Sequence, residues 1–268
     1  MTTEARADPA LDVATTLAIA TLAYGAANVV HEGLGHGLAC HLLGGEFAGF
    51  GTSFSVCQKA FSPAESAWFQ ASGTLAAMAA GATAAFALHA RPPRSPRVGY
   101  FAWLFAAITL IQGAAYVAID SIVGLADWQF VRLGGGLPAQ VASVFAATLV
   151  FAGATRALRP FITPYLGTVR RTRRAVVLVV LPWLLVGGVL MTAAALRGPE
   201  AGRAHFVLSA VYFNLGCGAL LPAWVLVTRR PAVASSGVRA LGRRPACILA
   251  AVALAIVALT ILGPGLSW

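Results

Sequence analysis

Seven long apolar runs separated by short polar breaks dominate this 268-residue chain. They lie near residues 12 to 43, 65 to 90, 98 to 123, 135 to 158, 175 to 196, 204 to 228 and 246 to 264. Each is long enough to cross the hydrocarbon layer as a helix, which takes roughly 20 residues. In lipid the backbone must satisfy its own hydrogen bonds, so helix is the form such runs adopt. The breaks carry turn chemistry: RPPRSPR, RLGGGLP, RGPEAGR and RRPAVASSG. With 59% apolar and only 10% charged residues, and a mean hydropathy of +0.79, the chain lacks the polar surface of a soluble globule. These observations predict an all-α polytopic membrane protein of about seven transmembrane helices. It forms one integral membrane domain over residues 1–268, with a core at about 12–130 and further helices over about 135–264. The less apolar segment GGEFAGFGTSFSVCQKAF, with aromatic and β-branched residues among glycines, predicts a short β-hairpin after the first helix.

The net charge of +10 is unevenly placed. Arg91, Arg94 and Arg97 follow the second run; Arg156, Arg159, Arg170, Arg171, Arg173 and Arg174 surround the end of the fourth; Arg229, Arg230, Arg239, Arg243 and Arg244 follow the sixth. None of these stretches contains an acidic residue. All three fall on one side of the membrane, which the positive-inside rule makes cytoplasmic, where arginines also meet anionic lipid headgroups. Membrane lipid is thus the partner this charge serves, and a nucleic-acid role is not needed to explain it. The other loops hold only Lys59, Arg132, Arg197 and Arg203 as basic residues, beside Glu46, Glu65, Asp127 and Glu200. The N-terminus is then cytoplasmic and the C-terminus external. Glu4, Asp8 and Asp12 against a single Arg6 do not make the basic start of a secretory signal, so the first run is read as a retained helix. Eighteen arginines to one lysine, with abundant Ala and Gly, fit a GC-rich bacterial genome, hence a bacterial inner (plasma) membrane.

Four cysteines, Cys40, Cys57, Cys217 and Cys247, show no CxxC spacing. They signal neither a zinc knuckle nor a disulfide framework and read as small apolar packing residues. Trp103, Trp128, Trp183 and Trp224 read as interfacial anchors or packing, and the small residues from Ser72 to Gly81 as a surface for close helix contact.

The first run itself carries chemistry. It reads AANVVHEGLGHGLACHLLGG, which puts His31, Glu32, His36 and His41 in or beside a membrane span. Ionisable groups at that depth cost roughly 2.5 to 3.5 kcal/mol each, so a cluster demands partners, a metal or a water-filled cavity. In a helical HExxH site two histidines four apart face one metal, and the adjacent Glu acts as general base on its water. Here the histidines are five apart. At 100° per residue that separates His31 and His36 by roughly 140° on a regular helix, whereas Glu32 and His36 share a face. Either the helix bulges by one residue, which Gly33 and Gly35 make inexpensive, or Glu32 and His36 are themselves ligands, with His31 or His41 behind them.

HEGLGHGLACHLLGG resembles the HExxH helix of the site-2 protease family of intramembrane zinc metalloproteases, with one inserted residue; a comparable HExxxH form occurs in the dipeptidyl peptidase III family. The likeness covers about residues 20 to 130. GGEFAGFGTSF stands where that family has a small β-segment, and QASGTLAAM where it has a small-residue turn opening the next helix. GLADW stands where it has an LDG sequence whose Asp is the third zinc ligand. The resemblance therefore implies Zn²⁺ held by His31, His36 and Asp127, Glu32 as the catalytic base, and a transmembrane or membrane-proximal peptide as substrate. Asp120, seven residues before Asp127, is a rival ligand, and Asn214 in YFNLGCGALLP is a candidate for the substrate cleft. In the family the site usually lies nearer the cytosol, whereas the arginine count puts these helix ends at the external face.

Two other classes compete. A transporter or inactive relative would use the same cluster to bind a cation or relay protons. A membrane haem protein would draw axial histidines from separate spans, with His89 and His205 as candidates beside His36, but gives Glu32 no role. A retinal protein is excluded because the only lysine, Lys59, lies in a loop.

Overall fold

Asp12 opens the first helix: its Oδ1 accepts a hydrogen bond from the Thr15 amide at 2.7 Å, so one of the orphan donors of the first turn is satisfied. From there α1 runs over Val13–Leu42. Among the described residues, six further helices are long and apolar enough to cross a membrane: α2 (Pro63–Ala90), α3 (Pro96–Val123), α5 (Gly136–Leu166), α6 (Thr172–Ala195), α7 (Arg203–Leu226) and α8 (Pro245–Leu262), with a short α4 (Gln129–Gly134) leading into α5. The computed structural model describes residues 11–167, 171–200, 203–227 and 238–267. Glu4, Arg6, Asp8, Arg170, Arg229 and Arg230 lie outside the described residues, as does all of RRPAVASSG.

The seven-helix expectation holds, and the helix starts follow local chemistry. Ser62 and Glu65 close a reciprocal capping box at the start of α2, followed by Pro63. At the other end of α3, Gly124 takes the left-handed conformation with φ of 71°. The fourth span is longer than its apolar run predicts: α5 continues past Arg156, Arg159, Pro160 and Pro164 to Leu166. Charge ended the apolar pattern there, but not the helix.

Packing ranks the helices. In α3, 83% of the most apolar stretch is buried, against 11% in α5 and 17% in α8, so α3 is the centre of the bundle and the other two lie at its rim. Tyr100, Trp103, Leu104, Ile108 and Ile111 on α3 form the heart of the core. Trp103 is fully buried there, so of its two expected roles packing is the one it has.

The predicted hairpin is present. Strands β1 (Glu46–Phe50) and β2 (Ser55–Gln58) pair antiparallel with Glu46 opposite Gln58, and a two-residue β3 (Leu266–Ser267) adds to the other edge of β1. Several bonds tie the hairpin to the bundle. The Thr52 amide donates to the Leu262 carbonyl at 3.1 Å, Asn28 Nδ2 donates to the Thr52 carbonyl at 2.8 Å, and a disulfide joins Cys40 to Cys57. That bond corrects the reading of these two cysteines as packing residues. Their separation of 17 carries no signature, because the pairing depends on the hairpin turning β2 back onto the last turn of α1. Gly45 makes room for it: a Cβ there would lie 2.5 Å from Cys57 Sγ.

The opposite end of the bundle gathers the arginines. The Asp12 amide donates to the Leu241 carbonyl, Arg97 to the Gly242 carbonyl, the Arg239 amide to the Pro164 carbonyl and Arg174 to the Tyr165 and Arg239 carbonyls. The start of α1 and the three arginine-bearing connections therefore meet at one end, and the disulfide-linked hairpin occupies the other.

Candidate metal centre

The inserted residue of the motif is absorbed by a change of helix type. Residues Val29–His36 of α1 form a π-helical segment, in which backbone hydrogen bonds span five residues rather than four and the wider turn brings side chains five apart towards one face. His31 and His36 thereby converge, their rings packed edge to face at 5.1 Å. Glu32 stays beside them, with Oε2 4.0 Å from His36 Nε2. His31, Glu32 and His36 each offer a ligand atom, and these atoms lie within 4.8 Å of one another. The helix does bulge between the histidines, and the Glu32 carboxylate still lies within reach of the same point.

A second element reaches the same point. Asp127, in the loop after α3, places Oδ2 2.9 Å from His31 Nε2 and 3.8 Å from His36 Nε2. Burial pushes the Asp127 carboxyl up, but the two histidines beside it outweigh burial and hold it well below the usual carboxylate range. His36 Nδ1 donates to the Phe69 carbonyl on α2 at 2.7 Å; since a carbonyl only accepts, this fixes the tautomer and leaves the Nε2 lone pair facing the cluster. Glu32 Oε2 accepts from Ser55 Oγ at 2.8 Å, and Ser55 sits at the start of β2, so the hairpin orients the glutamate.

The cluster exists only because α1 and α2 touch backbone to backbone. A Cβ on Gly73 would lie 2.5 Å from His36 Nε2 and 2.7 Å from His31 Nε2. The small-residue stretch from Ser72 to Gly81, expected to serve helix contact alone, thus also makes the hollow into which both imidazoles point. The donor set, two imidazole nitrogens with carboxylate oxygens within 4 Å, is one that suits a divalent metal ion.

The remaining candidates are placed elsewhere. Asp120 is fully buried and its carboxylate is committed to the backbone: Oδ1 accepts from the Leu125 and Ala126 amides at 2.8 and 3.0 Å, and Oδ2 from the Trp128 amide at 2.6 Å. It shapes the loop that carries Asp127, whose own amide donates to Tyr116 Oη at 3.0 Å. His41 is exposed near the end of α1, away from the cluster. Asn214 is buried on α7 and lines the cavity, its Nδ2 donating back to the Ala210 carbonyl at 3.0 Å. His205 lies at the same cavity, whereas His89, in the last turn of α2, contacts the Ala157 carbonyl of α5. Gly73 and His89 are sixteen residues apart on α2, about 24 Å along its axis, so His89 is remote from the cluster. Ser55, the Phe69 carbonyl and Tyr116 carried no motif, and Gly73 was marked only as part of a small-residue stretch; the fold shows what they do.

The cluster forms part of the wall of a cavity of about 240 Å³ that also takes in Ser53, Phe54, Gln70, Thr74 and Phe213. Such a volume admits several water molecules or a short stretch of polypeptide backbone. Comparison with protein-family models, with curated proteins and with solved structures gives no match. The chain is a mostly helical protein with seven membrane-length helices and a buried His/Glu group able to hold a metal ion.

Proposed function

We propose that this protein is an intramembrane zinc endopeptidase that hydrolyses peptide bonds in or near the membrane. The observation that carries the reading is the π-helical turn that brings His31, Glu32 and His36 together beside Asp127 on the wall of a cavity. The resemblance of HEGLGHGLACHLLGG to the motif helix of site-2 proteases supports the same chemistry.

In this reading His31, His36 and Asp127 hold the ion and Glu32 is the general base. A zinc ion there supplies Lewis acidity and a water acidified towards a pKa of about 7. Ser55 engages one carboxylate oxygen of Glu32, which leaves the other to take a proton from the attacking water and return it to the leaving amine. The ring of Phe213 stands 6.2 Å from His31 and that of Phe69 5.0 Å from His36, and these apolar walls limit bulk water at the reacting bond. The substrate is a transmembrane or membrane-proximal peptide that is unwound locally, because an intact helix hides its carbonyls.

The test is elemental mass spectrometry on detergent-purified wild type, His36→Ala and Glu32→Gln, each checked for folding by thermal melt. The reading expects one zinc per chain in the wild type, none in His36→Ala, and zinc retained without peptide hydrolysis in Glu32→Gln. Metal retained by His36→Ala overturns the site. Loss of metal from Glu32→Gln makes the glutamate a ligand, as its 4.0 Å approach to His36 Nε2 permits, and favours a cation-binding or transport role.

A further inference from the structure

The disulfide and the arginines lie at opposite ends of the bundle, and each reports on a compartment. Disulfides persist on the oxidising side of a membrane, in the periplasm or outside the cell, and are rare on the cytosolic side. Cys40–Cys57 binds the last turn of α1 to β2, the strand that begins with Ser55. At the other end, Arg97, Arg174 and Arg239 are packed among the start of α1 and the connections after α2, α5 and α7. That is the charge distribution of a cytoplasmic face. The two observations are independent, one covalent and one electrostatic, and they agree on orientation.

The cavity belongs to the disulfide end. It reaches into the bundle to Tyr24 and Thr109, and its rim is formed by the hairpin (Thr52 to Ser55), by Asp127 and Gln129 after α3 and by the beginning of α7 (His205 and Phe206). Phe54 stacks on Phe206 at 4.8 Å, joining two of these elements at that rim. His31 and His36 lie eleven and six residues from the end of α1 at Leu42, about 16 and 9 Å along the helix axis, so the cluster is below the surface but nearer this end than the other.

We infer that the His31–Glu32–His36 site opens to the extracytoplasmic side of the membrane, so that the polypeptide it serves presents its susceptible segment at that face. The sidedness stands on the disulfide and the charges; only the word polypeptide rests on the peptidase reading. A substrate of this site is a membrane-anchored chain whose cleavable segment lies just outside the hydrocarbon at the extracytoplasmic surface, or unwinds there.

Two thiol reporters decide the orientation in whole bacterial cells expressing the full chain. Both are placed in a Cys247→Ser background, where Cys217 is buried and the other two cysteines are bonded. Glu200→Cys lies between α6 and α7 at the cavity end, and Arg94→Cys between α2 and α3 at the arginine end; both positions are exposed. A membrane-impermeant maleimide is expected to label Glu200→Cys in intact cells and Arg94→Cys only after the cells are opened. Labelling of Arg94→Cys in intact cells, or of Glu200→Cys only after opening, overturns the inference. In a second arm, two single-span reporter peptides carry a cleavable linker on one side or the other. Cleavage restricted to the extracytoplasmic linker supports the inference, and cleavage restricted to the cytoplasmic linker overturns it. Absence of cleavage in both, with the labelling as expected, removes the peptidase reading and leaves the orientation standing.

Discussion

Gly35 on α1 and Gly73 on α2 meet backbone to backbone: a Cβ on Gly35 would fall 2.6 Å from the Gly73 α-carbon. This contact sets the distance between the motif helix and its neighbour, and the histidines fill the hollow it leaves. Gly73→Ala is therefore expected to abolish metal binding, since its methyl group would occupy the space of both Nε2 atoms. Overpacking of this kind also costs about 1 to 3 kcal/mol of stability. Gly153→Ala on α5, where a Cβ meets nothing within 4 Å, is the control and should keep both metal and melting temperature. Zinc content and thermal melts on the two variants check this, and full zinc in Gly73→Ala would show that the hollow is not needed.

The Cys40–Cys57 bond closes a loop of about 17 residues that contains β1, the turn and β2 as far as Cys57. A loop of this size contributes about 3 kcal/mol through the reduced freedom of the unfolded chain. Cys57→Ser should lower the melting temperature, and reductant should lower that of the wild type to a similar value while leaving Cys57→Ser unchanged. A reductant effect of equal size on both proteins would assign the stabilisation elsewhere.

The sequence announced some of these features and concealed others for physical reasons. Seven spans were legible because lipid demands long apolar helices, and the boundary at Leu166 was missed because Arg156 and Arg159 interrupt hydropathy without interrupting backbone hydrogen bonding. The one-residue insertion between His31 and His36 was legible as either a bulge or a change of ligands, and the π-helical segment that brings both rings to one face shows the bulge. The Cys40–Cys57 pairing was not, because it depends on the path of the hairpin. Asp120 was visible as a carboxylate near Asp127, but only the loop geometry shows that it accepts from three amides while Asp127 faces the histidines.

That distinction is measurable. Asp120→Ala strips three buried amides of their acceptor, which loosens the loop carrying Asp127, and zinc affinity should fall about tenfold to a hundredfold, the range seen when groups supporting metal ligands are removed. Asp120→Asn keeps an oxygen for Leu125 and Ala126 but turns an amide donor towards the Trp128 N–H, so an intermediate loss is expected. Competition with a chromophoric chelator gives the affinities. Complete loss of zinc in Asp120→Asn would make Asp120 a ligand after all.

Ser55 links the hairpin to the proposed base, its hydroxyl reaching both the Glu32 carboxylate at 2.8 Å and the Glu32 carbonyl at 3.0 Å. Hydrogen bonds to a charged group contribute about 1.5 to 3 kcal/mol, and about 1.4 kcal/mol corresponds to a factor of ten. If the glutamate must be held to accept a proton, Ser55→Ala should lower kcat at least tenfold with zinc content unchanged, and Ser55→Thr, which keeps a hydroxyl, should recover most of the rate. KM should move little, because the serine orients the base rather than the peptide. Unchanged turnover in Ser55→Ala would mean that Glu32 needs no such support, and loss of zinc in that variant would mean that the hairpin serves the metal ligands instead.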